Sequence, residues 1–203
     1  HAASEPPHWL FTKAPTEPSP PRPLIPSRPS QSEPAALSPL KAEQHSRFRR
    51  GNVTHKLLQF LPDIDPALRE GTARAFLQRF AHDLPETTRE NIVSECMDIL
   101  NDARFAPLFS THSRAEVPIT GLIGGKELVS GQIDRLAIEA QDIWIVDYKT
   151  NRPPPSEAKD IPDIYVNQLR TYRDVLQAIY PTHTIHCALV WTDGPSLMPV
   201  DLD

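Results

Sequence analysis

Proline decides where this chain of 203 residues can fold. About half of its 23 prolines fall in residues 1–40, in runs such as APTEPSPPRPLIPSRPSQSEP. Proline fixes φ and donates no amide hydrogen, so this density excludes helix interiors and sheet ladders and favours extended, polyproline-type chain. Residues 1–45 therefore read as a Pro-rich linker or tether, partly disordered or docked, in which the apolar HWLF at 8–11 suits a docking contact. A folded domain is left to residues 46–203. The chain has no starting Met, and a tether at this end implies further domains upstream.

The remaining composition removes several functions. A net charge of -5 gives no global basic field for nucleic acid, although a local patch can still serve. One such cluster, Lys41, Arg47, Arg49, Arg50 and Lys56, is either a solvated helix start or a phosphate-contacting patch. Two cysteines, Cys96 and Cys187, are too few for a disulfide framework, a four-thiolate zinc site or an iron–sulfur cluster, and read as reduced thiols of a cytoplasmic protein. No apolar run reaches the length of a membrane span and no signal peptide pattern is present, so no membrane partner is expected.

Three helical stripes open the domain. Val53, Leu57, Phe60 and Leu61 form the first, stopped by Pro62. Asp65-Pro66 caps a second helix running to about Phe80, and a third runs from about Pro85 to Leu100. Four β-rich runs follow, AEVPITGLI, ELVSGQIDRLAIE, DIWIVDYKT and HTIHCALVWT, with PSLMPVDL as a short edge strand. A helix over about 163–180 separates the third run from the fourth. Helices, a meander, then helix and strand make an α/β or α+β domain around one sheet.

Two acids on that sheet call for a cation. If the chain reverses over Ala140-Gln141, Glu139 faces Asp142, and the same register sets Asp134 opposite Asp147. Directly opposed β-carbons are roughly 5 Å apart, and like charges there destabilise a sheet, more so when partly desolvated. Lys149 shares the face of Asp147 because strand side chains alternate. Two carboxylates and an amine at one point suit a hard cation, Mg²⁺ with Mn²⁺ as substitute. The alternative is an Asp147–Lys149 ion pair with Asp134 neutralised by Arg135, which the alternation points to the other face.

These residues resemble a known family. SGQIDRLAI followed by IVDYKTNR is similar to the G-x-I-D-R and D-Y-K-T elements of the RecB-type PD-(D/E)XK nucleases. RGNVTHKLLQFLP resembles their histidine helix, and YVNQLRTY their Q-h-x-x-Y helix. With the ALVWTDGPSLMPVD ending, the set over 46–203 is most similar to the nuclease domain of AddA-type helicase–nucleases of bacterial double-strand-break repair. The resemblance implies a PD-(D/E)XK, restriction-endonuclease-like core, a mixed sheet of four to five strands flanked by helices. It implies a Mg²⁺-dependent deoxyribonuclease, an exonuclease with little sequence preference.

Within that resemblance, Asp134, Asp147, His55 and the main-chain carbonyl of Tyr148 would hold the metal. Lys149 would orient the attacking water or stabilise phosphate charge. Gln168 and Tyr172 would border the site, Glu116 matches a recurrent acid, and Arg49 and Arg50 could meet phosphate. His55 can also be read as a core-edge histidine and Tyr172 as packing. The implied partners are single strands of DNA from unwound duplex ends, helicase domains upstream in the same chain, and an AddB-type subunit. ATP would be used only in that helicase region, since GLIGGKE lacks the residues of a phosphate loop. The rival reading is an inactive module of the same assembly that binds DNA or docks on a subunit.

Overall fold

The structure, a computed structural model, describes residues 23–26 and 41–202. Most of the expected tether, including HWLF, lies outside the described residues. Helix α1 (Lys41–Phe60) starts well ahead of the apolar stripe, because no proline follows Pro39 until Pro62 and the intervening KAEQHSRFRR is compatible with helix. Helix α2 (Pro66–Phe80) is capped by Asp65, whose carboxylate accepts the Ala67 amide hydrogen at 2.9 Å. Helix α3 (Glu86–Asn101) completes the first group.

Five strands form one mixed sheet in the order β1 (Ser113–Ile123), β2 (Glu127–Glu139), β3 (Asp142–Lys149), β4 (Thr184–Trp191), β5 (Ser196–Pro199). All neighbours are antiparallel except β3 and β4, which run parallel through the crossover helix α4 (Asp163–Ile179). This is the expected α/β core of strands flanked by helices.

Each face of the sheet has its own core. Leu57, Leu58, Leu77, Ile92 and Ile99 of α1–α3 pack on Val146, Tyr148 and Val190. On the other face Leu169, Tyr172 and Val175 of α4 pack on Ile143, Ile145, Leu189 and Trp191. Burying each such side chain contributes about 1.5–3 kcal/mol. The central strand β3 therefore has to be apolar in both directions, which makes the polar Asp147 in its midst, 4% exposed, conspicuous. Helix α4 can lie so close because Gly131 faces it: a β-carbon there would come within 2.7 Å of the Tyr172 ring. Cys96 and Cys187 are buried and unbridged, one in each core. No helix among the described residues is long and apolar enough to cross a membrane.

The β2–β3 hairpin has the expected register, Glu139 opposite Asp142 through Arg135 opposite Val146. Ala140 takes a φ of 49° in the turn. The ladder then stops one step short of Asp134 and Asp147, and the strands part. In β1 the pairing skips Glu116 at the same level, where that residue has a φ of 53°. Across this break the facing reverses. Arg135 points among α1 and Ser113, whereas Ile133, only two residues away, belongs to the α4 core. On the side of β2 that β3 has left, Leu24 makes a parallel bridge, giving its amide hydrogen to the Leu128 carbonyl at 2.7 Å and taking that of Ser130 at 2.9 Å.

Candidate active site

A cleft of about 840 Å³ opens where β2 and β3 part. Its lining includes Asp134, Asp147, Lys149 and Tyr148 from the strands, His55 and Lys56 from α1, and Gln168 from α4. Helix α1 lies close to this end of β3 through Gly51, whose absent β-carbon would stand 3.3 Å from the Thr150 hydroxyl.

Asp147 is the most confined group. Its Oδ2 is 2.7 Å from the Lys149 ammonium, and its Oδ1 accepts a hydrogen bond from the Gln168 amide at 2.8 Å. The amide oxygen of Gln168 accepts in turn from Lys149 at 3.2 Å, closing a triangle. The ammonium also lies 3.9 Å above the Tyr165 ring. Burial raises the pKa of Asp147 and the nearby charge of Asp134 adds to it, with Lys149 opposing. Burial disfavours the Lys149 cation, but Asp147 outweighs this and raises its pKa.

Asp134 is partnered differently. Its Oδ2 accepts the Tyr148 amide hydrogen at 2.9 Å and lies 3.3 Å from His55 Nδ1. Burial works against its charge, yet the His55 imidazolium holds its pKa below the usual carboxylate range. Burial likewise opposes the imidazolium, but Asp134 carries His55 up to about 9. Neighbouring carboxylates pulled in opposite directions are the arrangement from which acid and base roles are drawn.

The alternative pairing is half present. Asp147 does pair with Lys149, but Arg135 does not reach Asp134. Its guanidinium bonds the Leu58 carbonyl and Ser113 on the other face of the sheet.

These donors suit a hard divalent cation in chemistry. A strand residue directs its N–H and C=O to the same side, so the Tyr148 carbonyl faces the opening into which its amide points. Among the described residues, however, no three His, Cys, Asp or Glu side chains are grouped to hold an ion. The set His55, Asp134 and Asp147 is therefore not a closed cage. A small cation that leans on one or two carboxylates, water and substrate phosphate needs none.

Two expected site residues do not line the cleft. Tyr172 is fully buried beneath Gly131, with its hydroxyl beside Gln168 behind the cleft wall. Arg49 binds Asp83 and the Phe80 carbonyl, tying α1 to the α2–α3 corner. Arg50 does line the cleft but is buried against Glu95, and the Lys41 side chain is outside the described set. Glu116 lines the cleft at the strand break, its pKa raised by burial and then by Asp134. Sequence reasoning missed Arg152, Asn151, Tyr165 and Gln132, all on the cleft wall. The first two directly follow the D-Y-K-T run, and that adjacency was the available signal.

A sequence model of the PD-(D/E)XK nuclease superfamily matches residues 32–194. No curated protein matches the chain. Among solved structures, the chain is similar to a protein from Eubacterium rectale assigned as an exonuclease, at 14% identity and a TM-score of 0.42. That likeness covers 71% of this chain and 59% of the other, so the chain spans less than two thirds of it. It is also similar to the protein SSO0001, at 14% identity and a TM-score of 0.33, over 81% of this chain and 79% of that one.

Proposed function

Because the chain belongs to the PD-(D/E)XK nuclease superfamily, we propose that it is a metal-dependent deoxyribonuclease whose centre is the cleft between β2 and β3. The observation that carries this reading is Lys149 locked 2.7 Å from Asp147, with Asp134 one strand away at the point where the ladder opens. Asp134, Asp147 and the Tyr148 carbonyl would hold the cation, with His55 as a further ligand once its proton has left. That cation, Mg²⁺ or Mn²⁺ in its place, supplies Lewis-acid charge at the scissile phosphate and a lowered pKa for water.

The protein's own groups do the positioning. Lys149, with its pKa raised, keeps its proton at neutral pH and offers positive charge to the phosphoryl oxygens as charge builds there. It does so without acting as a base. Gln168 fixes both partners of the pair, so the ammonium cannot swing away when phosphate enters. Phosphate contacts carry no base readout, so cleavage is expected with little sequence preference.

The finer assignment is to an AddA-type helicase–nuclease acting in double-strand-break repair and recombination. Its support is the order of the histidine helix, G-x-I-D-R, D-Y-K-T and Q-h-x-x-Y runs and the ALVWTDGPSLMPVD ending. In that setting upstream helicase domains would consume ATP and feed single strands to the cleft, beside an AddB-type partner.

The test is degradation of end-labelled single-stranded DNA with Mg²⁺ or Mn²⁺, comparing the chain with Asp147→Ala and with an EDTA control. Cleavage lost in both controls is expected. Cleavage that survives Asp147→Ala would remove this cleft as its source.

A further inference from the structure

Glu95 is a buried carboxylate, 8% exposed in the middle of α3, for which the reaction above has no use. Two guanidiniums converge on it. Arg50 Nη2 stands 2.6 and 2.5 Å from its two oxygens, and Arg152 Nη2 bonds Oε1 from the segment after β3. The other terminal nitrogen of Arg152 lies 3.4 Å from Asp193, whose side chain is a third exposed.

A pair made only to tie α3 to its neighbours needs one cation on this carboxylate. Here Arg50 already spans both oxygens, and Asp193, 3.4 Å from Arg152, supplies the second negative charge. Two arginines and two carboxylates balance, but the Arg152 guanidinium keeps an exposed edge. Burial, then the like charge of Arg50, lowers the pKa of Arg152, and burial above all lowers that of Arg50. Asp193 opposes both shifts, and an anion at the exposed edge would favour the charged arginines further. Both arginines help to form the wall of the cleft, and the Arg152 side chain is 39% exposed.

Arg152 follows Lys149 by three residues, a reach of at most about 10 Å of chain. A planar guanidinium at that distance matches the oxygens of a phosphodiester a few nucleotides from the one that is cut. We propose that Arg152, seated on Glu95, is a second phosphate-binding site of this cleft, holding the backbone of a single-stranded nucleic acid next to the cleaved position. This rests on the nuclease reading.

The experiment is fluorescence anisotropy of labelled oligothymidylate in EDTA, which prevents cleavage, over a series of salt concentrations. Each phosphate neutralised on a single strand steepens the plot of log affinity against log salt by about 0.7. Arg152→Gln is expected to bind about tenfold more weakly at low salt, with a slope shallower by about 0.7. Arg152→Lys keeps the charge and should retain the wild-type slope while binding less tightly than Arg.

If the unmodified chain binds and Arg152→Gln leaves slope and affinity unchanged, the arginine is only a tie to α3 and the proposal falls. If Arg152→Gln does not fold, Arg152→Lys decides, because affinity equal to wild type overturns the guanidinium contact. Absence of binding by the unmodified chain would instead overturn the nuclease reading, and this inference with it.

Discussion

The carboxylate of Asp134 takes the amide hydrogen of Tyr148 at 2.9 Å, so a side chain stands where strand β2 would have offered a backbone carbonyl. That substitution ends the ladder without leaving the amide unpaired. Asparagine can make the same bond but cannot carry the charge. Asp134→Asn should thus keep the fold and lose at least about 100-fold in cleavage. Asp134→Ala should also lose the bond and be less stable than Asp134→Asn by about 1–3 kcal/mol in chemical denaturation.

Gln168 touches both Asp147 and Lys149 without being able to take part in proton transfer. Gln168→Leu keeps similar volume and frees both partners. Its single-turnover cleavage rate is expected to fall about 10- to 100-fold, as for outer partners of metal ligands, while binding of single-stranded DNA in EDTA stays unchanged. An unchanged rate would show that the triangle is incidental.

In the metal-free protein the His55 imidazolium, although partly desolvated, is held by Asp134 up to a pKa of about 9. A raised value means stability that is fully present below the ordinary histidine pKa of about 6.5. It is lost as pH rises through about 9. NMR titration in EDTA should show this histidine staying charged well past neutrality, and Asp134→Asn should bring its midpoint down.

A ligand that binds only the folded chain raises its melting temperature. At a concentration 100-fold above its Kd the gain is about 2.7 kcal/mol, or about 5–10 °C for a chain of this size. Mn²⁺ should give such a rise, EDTA should reverse it, and Asp147→Asn should abolish it. A rise undiminished in Asp147→Asn would place the ion elsewhere.

Gly131 is fixed by the Tyr172 ring above it rather than by its own backbone. Gly131→Ala sets a methyl 2.7 Å from that ring and should cost about 1–3 kcal/mol. A smaller side chain at Tyr172 in the same protein should recover part of the loss.

The hairpin register was legible only on the premise that the chain reverses over Ala140-Gln141, and the observed pairing has that register. That register brought Asp134, Asp147 and Lys149 together. The break at Glu116 was not legible, since nothing in a glutamate announces a φ of 53°. At the same level the facing of Ile133 differs from that of Arg135, which alternation alone assigns to the same side. The ties of Arg49 to Asp83 and of Arg50 to Glu95 join residues 34 and 45 positions apart. Such pairings depend on how α1–α3 pack, and no local pattern encodes them. Tyr172 carried two compatible readings, core and site border, and it is buried beneath Gly131 beside Gln168.

Where β3 leaves β2, the departing strand exposes amides and carbonyls that could recruit a strand from another molecule. Leu24 occupies Leu128 and Ser130 there, and prolines flank it at 23 and 26. Proline has no amide hydrogen to give, so of residues 23–26 only Leu24 and Ile25 carry donors, and that of Leu24 is already used. The edge that β3 leaves is thus blunted, at the one rung beside Val129, by a short proline-flanked stretch with few donors to offer another strand.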